Sequence, residues 1–328
     1  MQDLKLGVVD QSPVRTGGTA ADAVRETLEL ARVAERLGYT RYWLAEHHST
    51  NSFAGSSPAV LIPAVAGATH TIRVGSGGVM LSHYSPLQVA ENFRMLETLF
   101  PGRIDLGVGR APGGDARTTL ALQYGRGEVG VENFPRQVED LIGWTTDAFG
   151  DGHPWRRVRA MPRARTAPEF WLLGCGYAFA QFISGQDGAG LVRQYRASFQ
   201  PSPHRAFPAA SVALGVICAE TQAQAQRLSA SLELWRRRIM RGQDRGIPSP
   251  DEALAELGAT WVPPRLGEDG GRMIAGDPGQ VRDELRRVAA RYGADELMIV
   301  TVTHDPAARL RSYELIAKAM DLAPPAAS

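Results

Sequence analysis

Along the chain, short apolar runs alternate with longer stretches in which apolar side chains return every three or four residues. Residues 4–9 form the first run and read as a strand. In residues 20–37, Ala23, Leu28, Leu30, Ala31, Ala34 and Leu37 recur at helical spacing, and Gly38 supplies a stop. The alternation continues with strands predicted over residues 42–45, 72–81, 104–108, 170–173, 177–182, 211–218 and 297–302. Helices are predicted over residues 58–68, 86–99, 134–149, 189–199, 222–240, 278–292 and 306–320. Pro86 falls in a first helical turn, where its missing N–H costs nothing.

Eight strands alternating with helices over roughly 300 residues predict an α/β protein built as a (β/α)8 TIM barrel. An open doubly wound sheet would place a cofactor turn after its first strand, and residues 10–19 lack the required glycine spacing. The pattern predicts one barrel domain over residues 1–322 and a frayed tail over 323–328. The Pro/Gly-rich residues 242–276 form a loop insertion between the seventh and eighth strands, long enough to read as a mobile lid.

One place breaks the pattern. Between Leu173 and Tyr177 stand only Gly174, Cys175 and Gly176, whereas parallel neighbours need a crossover of about a dozen residues. Either these two strands are not parallel neighbours or a segment is missing there. The second is favoured, because every other unit keeps its helix.

Composition narrows the function classes. The 328 residues are 44% hydrophobic and 22% charged, with a net charge of +1, which gives no reason to expect nucleic acid or an anionic membrane as partner. Lys5 and Lys318 are the only lysines, an arginine bias of the kind GC-rich codon usage produces. Cys175 and Cys218 cannot build a disulfide framework or a metal knuckle. No apolar run is long enough to span a bilayer, and the N-terminus enters a strand without a charged-then-apolar leader, so a cytoplasmic protein is expected.

The second predicted strand ends in Trp43-Leu44-Ala45-Glu46-His47-His48. This ending resembles the Trp-Leu-x-Glu-His-His pattern of the bacterial luciferase-like flavin monooxygenases. Further segments are similar to that family in the same order: residues 74–81 (VGSGGVML), Ser85-Pro86 with Ala90-Glu91-Asn92, residues 101–110 (PGRIDLGVGR), and Gly276-Asp277-Pro278 with Val281. Each motif alone is weak, but together they cover the chain except at the break after Leu173.

His47 stands at the C-terminal end of a barrel strand, where TIM-barrel chemistry gathers. The resemblance implies that it lies by the flavin and assists proton transfer, a role suited to imidazole. Glu46 is read as a cofactor-side residue that either orients His47 or pairs with an arginine. Adjacent residues do not readily ligate one ion, so Glu46-His47-His48 is not a metal site. Gly77 and Gly78 are expected against the isoalloxazine, where the family often carries a non-prolyl cis peptide; the structural alternative is a bulge or tight barrel packing. Arg110 and Arg126 are candidate phosphate contacts, since guanidinium matches phosphate geometry. The family's hydroxyl-bearing phosphate ligands follow strand five, where this chain has Leu172-Leu173-Gly174-Cys175, making Cys175 the remaining cofactor-side candidate. His83 and Tyr84 are candidates for the substrate pocket.

The resemblance implies an FMNH2-dependent monooxygenase that oxidises an organic substrate with O2 through a C4a-peroxyflavin, such as one that tailors a secondary metabolite. No nicotinamide site is visible, so the FMN would arrive reduced from a separate flavin reductase. A homodimer is expected through early helices such as residues 86–99. Two alternatives stay open: an F420-dependent dehydrogenase on the same barrel, and a non-catalytic flavin-binding subunit.

Overall fold

The computed structural model describes residues 4–111, 114–124, 131–171, 176–184, 187–201, 205–258, 261–262 and 273–324. Strand β1 (Lys5–Asp10) leads into helix α1 (Ala20–Arg36), and β2 (Arg41–Leu44) into α2 (Pro58–Gly67). Strand β3 (Arg73–Met80) runs through a 3-10 turn at Leu81–His83 into α3 (Pro86–Leu99). Next come β4 (Ile104–Gly109), α4 (Ala116–Gln123) and α5 (Phe134–Thr146). They are followed by β5 (Glu169–Trp171), β6 (Gly176–Ala180), α6 (Gln181–Ser184) and α7 (Ala189–Ser198). The last part holds β7 (Ala209–Cys218), α8 (Gln222–Met240), α9 (Pro250–Leu257), β8 (Met273–Gly276), α10 (Pro278–Tyr292), β9 (Glu296–Val300) and α11 (Pro306–Ala319).

Local chemistry sets the helix boundaries. Thr19 and Asp22 form a reciprocal capping box at α1, and Asp277 with Gln280 forms another at α10. Gly293, in the left-handed region at φ 60°, closes α10, a conformation that carries no Cβ penalty for glycine.

Eight parallel strands close in the order β1-β2-β3-β4-β5-β6-β7-β9 and back to β1. The expected TIM barrel is therefore present. β8 is a ninth, short strand: it pairs with the upper part of β7, residues Gly215–Cys218, while β9 pairs with Ser211–Gly215 below it. Residues 242–276 are thus not one irregular excursion, since they contain α9 and β8. Residues 259–260 and 263–272 between these elements lie outside the described residues.

β5 and β6 are parallel neighbours, paired at Trp171 and Gly176, so the first of the two readings of the break after Leu173 does not hold. Leu172 to Cys175, between these strands, lie outside the described residues.

Burial divides the core into two parts. Side chains such as Leu6, Val8, Tyr42, Phe93, Leu106 and Ile316 fill the space between barrel and helices. Val9, Trp43, Trp171, Ala213, Met298 and Val300 form a second cluster.

The barrel floor is ionic. Arg41 reaches Asp105 at 2.7 Å and Glu296 at 2.8 Å, and Arg73 reaches Asp105 at 2.6 Å. Trp43 donates its indole N–H to the same Asp105 at 2.8 Å. These strand-start residues seal one end and leave the chemistry to the other.

Candidate active site

The strand ends at the C-terminal mouth bring Gln11, Glu46, His47, His48, His83 and Tyr84 together, each one to four residues beyond β1, β2 or β3. Arg309 donates to Asp10 at 2.6 Å, and Tyr42 donates its hydroxyl to the same carboxylate, which fixes the end of β1. Gln11, the next residue, is buried. The backbone N–H of His47 donates to the Gly55 carbonyl at 2.8 Å, which sets the turn out of β2.

The imidazole of His47 packs on Phe53 at 4.7 Å between ring centroids, and Phe53 meets Trp235 of α8 edge-on at 5.2 Å. Nε2 of His47 lies 3.3 Å from Nε2 of Gln11. Nδ1 is buried without a hydrogen-bond partner among the described residues. Burial, with a smaller contribution from His48, pushes the His47 pKa down to about 4, so the ring is neutral near pH 7.

Among the described residues, Glu46 holds neither His47 nor an arginine. Its Oε1 accepts from His48 Nε2 and from the Tyr84 hydroxyl, both at 2.7 Å, and its Oε2 accepts from the Met80 N–H at 3.0 Å. The carboxylate is fully buried and ties the end of β2 to the end of β3. Burial, then the bond to Glu46, pushes the Tyr84 phenol well up, so it serves as a donor. His83 is buried edge-on to His48 at 6.1 Å.

The Gly77-Gly78 peptide is cis, as the resemblance implies. Protein packing by itself requires small residues here. A Cβ on Gly78 would come within 2.9 Å of the Gly107 backbone, and one on Gly77 within 3.0 Å of Trp43 Cβ. The register with β4 also shifts between Ser76 and Val79. Arg110 stands exposed just past β4. Arg126 and Cys175 lie outside the described residues.

Sequence reasoning missed Gln11, Phe53, Trp235 and Asp244. Asp244 accepts from Thr50 Oγ1 at 2.9 Å and Ser52 Oγ at 2.8 Å, and Trp235 Nε1 donates to Ser52 at 2.8 Å. Together they clasp the loop that carries Phe53. No local signal marks such residues, because nearly 200 positions separate the partners.

The luciferase-like monooxygenase family model matches residues 4–296. The chain belongs to that family. With membership comes the class of enzyme, a flavin-dependent monooxygenase. A relative in Escherichia coli (strain K12) named luciferase-like monooxygenase is 35% identical over 336 residues, 97% of each chain. The N-acetyl-S-alkylcysteine monooxygenase of Bacillus subtilis (strain 168) is 34% identical over 332 residues, 97% of this chain and 98% of that one. Among solved structures, apo-MsnO8 matches with a TM-score of 0.90 at 40% identity, covering 98% of this chain and 100% of that one.

The described residues fit a family flavin at its ring end. A buried, unpartnered imidazole nitrogen on a ring packed against Phe53 suits a planar conjugated system with polar edges. Among the described residues there is no group of His, Cys, Asp and Glu able to hold a metal ion. No described helix is long and apolar enough to cross a membrane.

Proposed function

We propose that this chain is an FMNH2-dependent monooxygenase that transfers one oxygen atom from O2 to an organic substrate. The observation that carries this reading is His47, neutral at the barrel mouth with an unpartnered ring nitrogen. Bound reduced FMN supplies the electrons that activate O2. His47 holds or accepts a proton at the mouth, while Phe53 and Trp235 keep water from one side of its ring. Gly77 and Gly78 leave room for the ring system, and Arg110 offers charge to the phosphate. Glu46 keeps His48 and Tyr84 in place, and His83 and Tyr84 line the substrate side.

Residues 242–276 act in this reading as a lid hinged on a fixed base. Asp244 anchors one end, and Arg238 of α8 holds α9 through Glu252 at 2.8 Å and through Glu256. A separate flavin reductase delivers the cofactor, and a second copy docks on α3, whose Met95 and Leu99 are exposed. The substrate is a small organic molecule, in keeping with a tailoring step of secondary metabolism. N-acetyl-S-alkylcysteines are the first to try, because a relative carries that name.

The test begins with binding. Titration with FMN and with riboflavin is expected to show FMN binding, the phosphate adding to the affinity where Arg110 stands exposed past β4. Anaerobic protein with reduced FMN is then mixed with oxygenated buffer in a stopped-flow instrument. Flavin reoxidation slower than in free solution, with oxygen-18 passing from O2 into a thioether substrate, is the expected result. Reoxidation as fast as free FMN by protein shown to bind it would sink the reading. Reduction of F420 by an alcohol would move the chain to the deazaflavin dehydrogenases.

A further inference from the structure

Three segments from different parts of the chain meet beside His47. Residues 12–16 follow β1, residues 50–54 follow β2, and residues 244–247 follow α8. The Val14 N–H donates to the Ser52 carbonyl at 2.8 Å and the Ala54 N–H to the Ser12 carbonyl at 2.9 Å, which joins the first two. The Ile247 N–H donates to the Val14 carbonyl at 2.8 Å and the Thr16 N–H to the Ile247 carbonyl at 2.9 Å, which joins the first and third. The Asp244 carboxylate closes the remaining side, accepting the Asn51 N–H at 2.5 Å and the Thr50 hydroxyl at 2.9 Å. Ser52 Oγ accepts the Trp235 indole N–H at 2.8 Å, and its own proton goes to Asp244 or to the Arg245 carbonyl, each at 2.8 Å. Either choice ties Ser52 to the same segment. We propose that Asp244 is a positioning residue for His47: by fixing residues 50–52 against α8, it holds Phe53 on the imidazole and keeps water from that face.

The direction of each bond is settled by its chemistry. A carboxylate accepts, while a backbone N–H and an indole N–H donate. Thr50 Oγ1 accepts from the Ser52 N–H at 3.1 Å, which leaves its proton to Asp244. Bonds to a charged acceptor are the stronger kind. Phe53 follows directly on these three residues and is buried, its ring 4.7 Å from that of His47 and 5.2 Å from that of Trp235. The bonds to Ser12 and Val14 set the path of the chain at Phe53. Asp244 and Trp235 press it toward α8, which supplies the other wall around the ring. Burial holds the imidazole neutral near pH 7, so water admitted there moves its pKa back toward 6.5. Of the side chains around it, His48 is ionisable and is paired with Glu46, while Gln11, Phe53 and Trp235 carry no charge. The value of this arrangement in turnover rests on the proposed monooxygenase reading, but the placement of Phe53 does not.

The experiment follows the His47 ring signals of the full chain by 1H–13C NMR as pH is lowered. The signal missing in His47→Gln assigns the ring among seven histidines. The wild type is expected to titrate near 4. Asp244→Ala is expected to raise that value to about 5 or higher, and Phe53→Ala at least as far. The double variant is expected to match Phe53→Ala alone, because both changes act through one contact. Glu35→Ala removes a carboxylate that accepts three backbone N–H groups ahead of β3, at the other end of the barrel, and is expected to leave His47 unmoved. A wild-type ring titrating near 6.5, an unmoved ring in Asp244→Ala, an equal rise in Glu35→Ala, or strictly additive rises each overturn the proposal. Where Asp244→Ala does not fold, Trp235→Phe decides in its place: it keeps a ring, drops the donor to Ser52, and is expected to raise the pKa, an unmoved ring again overturning the proposal. In turnover, Asp244→Ala is expected to lower kcat at least about threefold with little change in KM, and full kcat overturns the role in catalysis. If the NMR result holds but wild-type protein reoxidises reduced FMN as free solution does, the monooxygenase reading fails and the placement of Phe53 stands.

Discussion

Among the candidate site residues, His47 is shifted by its burial well away from free imidazole behaviour. Burial lowers its pKa from 6.5 to about 4, so on acidification the unfolded chain binds a proton before the folded one does. The sign follows: the residue is neutral in its effect above about pH 6.5, and stability is lost progressively as pH falls from there toward 4. Replacing His47 by Gln removes that contribution. Urea unfolding at steps between about pH 7 and 4 should therefore show a shallower loss of stability in the variant. Identical slopes in the two proteins would mean that the ring is solvated and titrates normally. The sequence showed His47 at the end of a strand, but its depressed pKa comes from burial, and Phe53, which packs on its ring, sits on another segment.

At the scale of elements, the ends of β2 and β3 are locked by one carboxylate. Glu46 accepts from Met80 N–H, Tyr84 and His48, three donors on its two carboxylate oxygens. Glu46→Gln places an NH2 group where at least one donor already points. The expected cost is about 1–3 kcal/mol, measured by urea unfolding, because a buried donor is left unpaired. A variant as stable as the wild type would show that water already shares the site. The sequence made Glu46 a candidate through its place in a motif. It gave no means of choosing its partners, since these come from the turn after β3. The same limit applied between β5 and β6. The sequence left open whether these two strands are parallel neighbours, and only the closed sheet pairs them.

Over the whole molecule, the closed end of the barrel depends on one buried acid. Asp105 is fully buried and receives Arg41, Arg73 and the Trp43 indole. Asp105→Asn leaves two guanidinium groups without their shared counter-charge, and the expected loss is about 3–5 kcal/mol in chemical unfolding. A loss below about 1 kcal/mol would show that water or Glu169 and Glu296 take over the pairing. This network was invisible in the sequence, where its members are scattered single charges. What the sequence determined by itself is the order and kind of most elements, because strand and helix periods are local, and the family, because its motifs are contiguous runs. Closure of the sheet, the short β8 pairing above β9, the ionic floor and the partners of His47 and Glu46 were decided only by the tertiary structure. Each depends on distances between residues far apart in the chain, and those distances exist only once the barrel has closed.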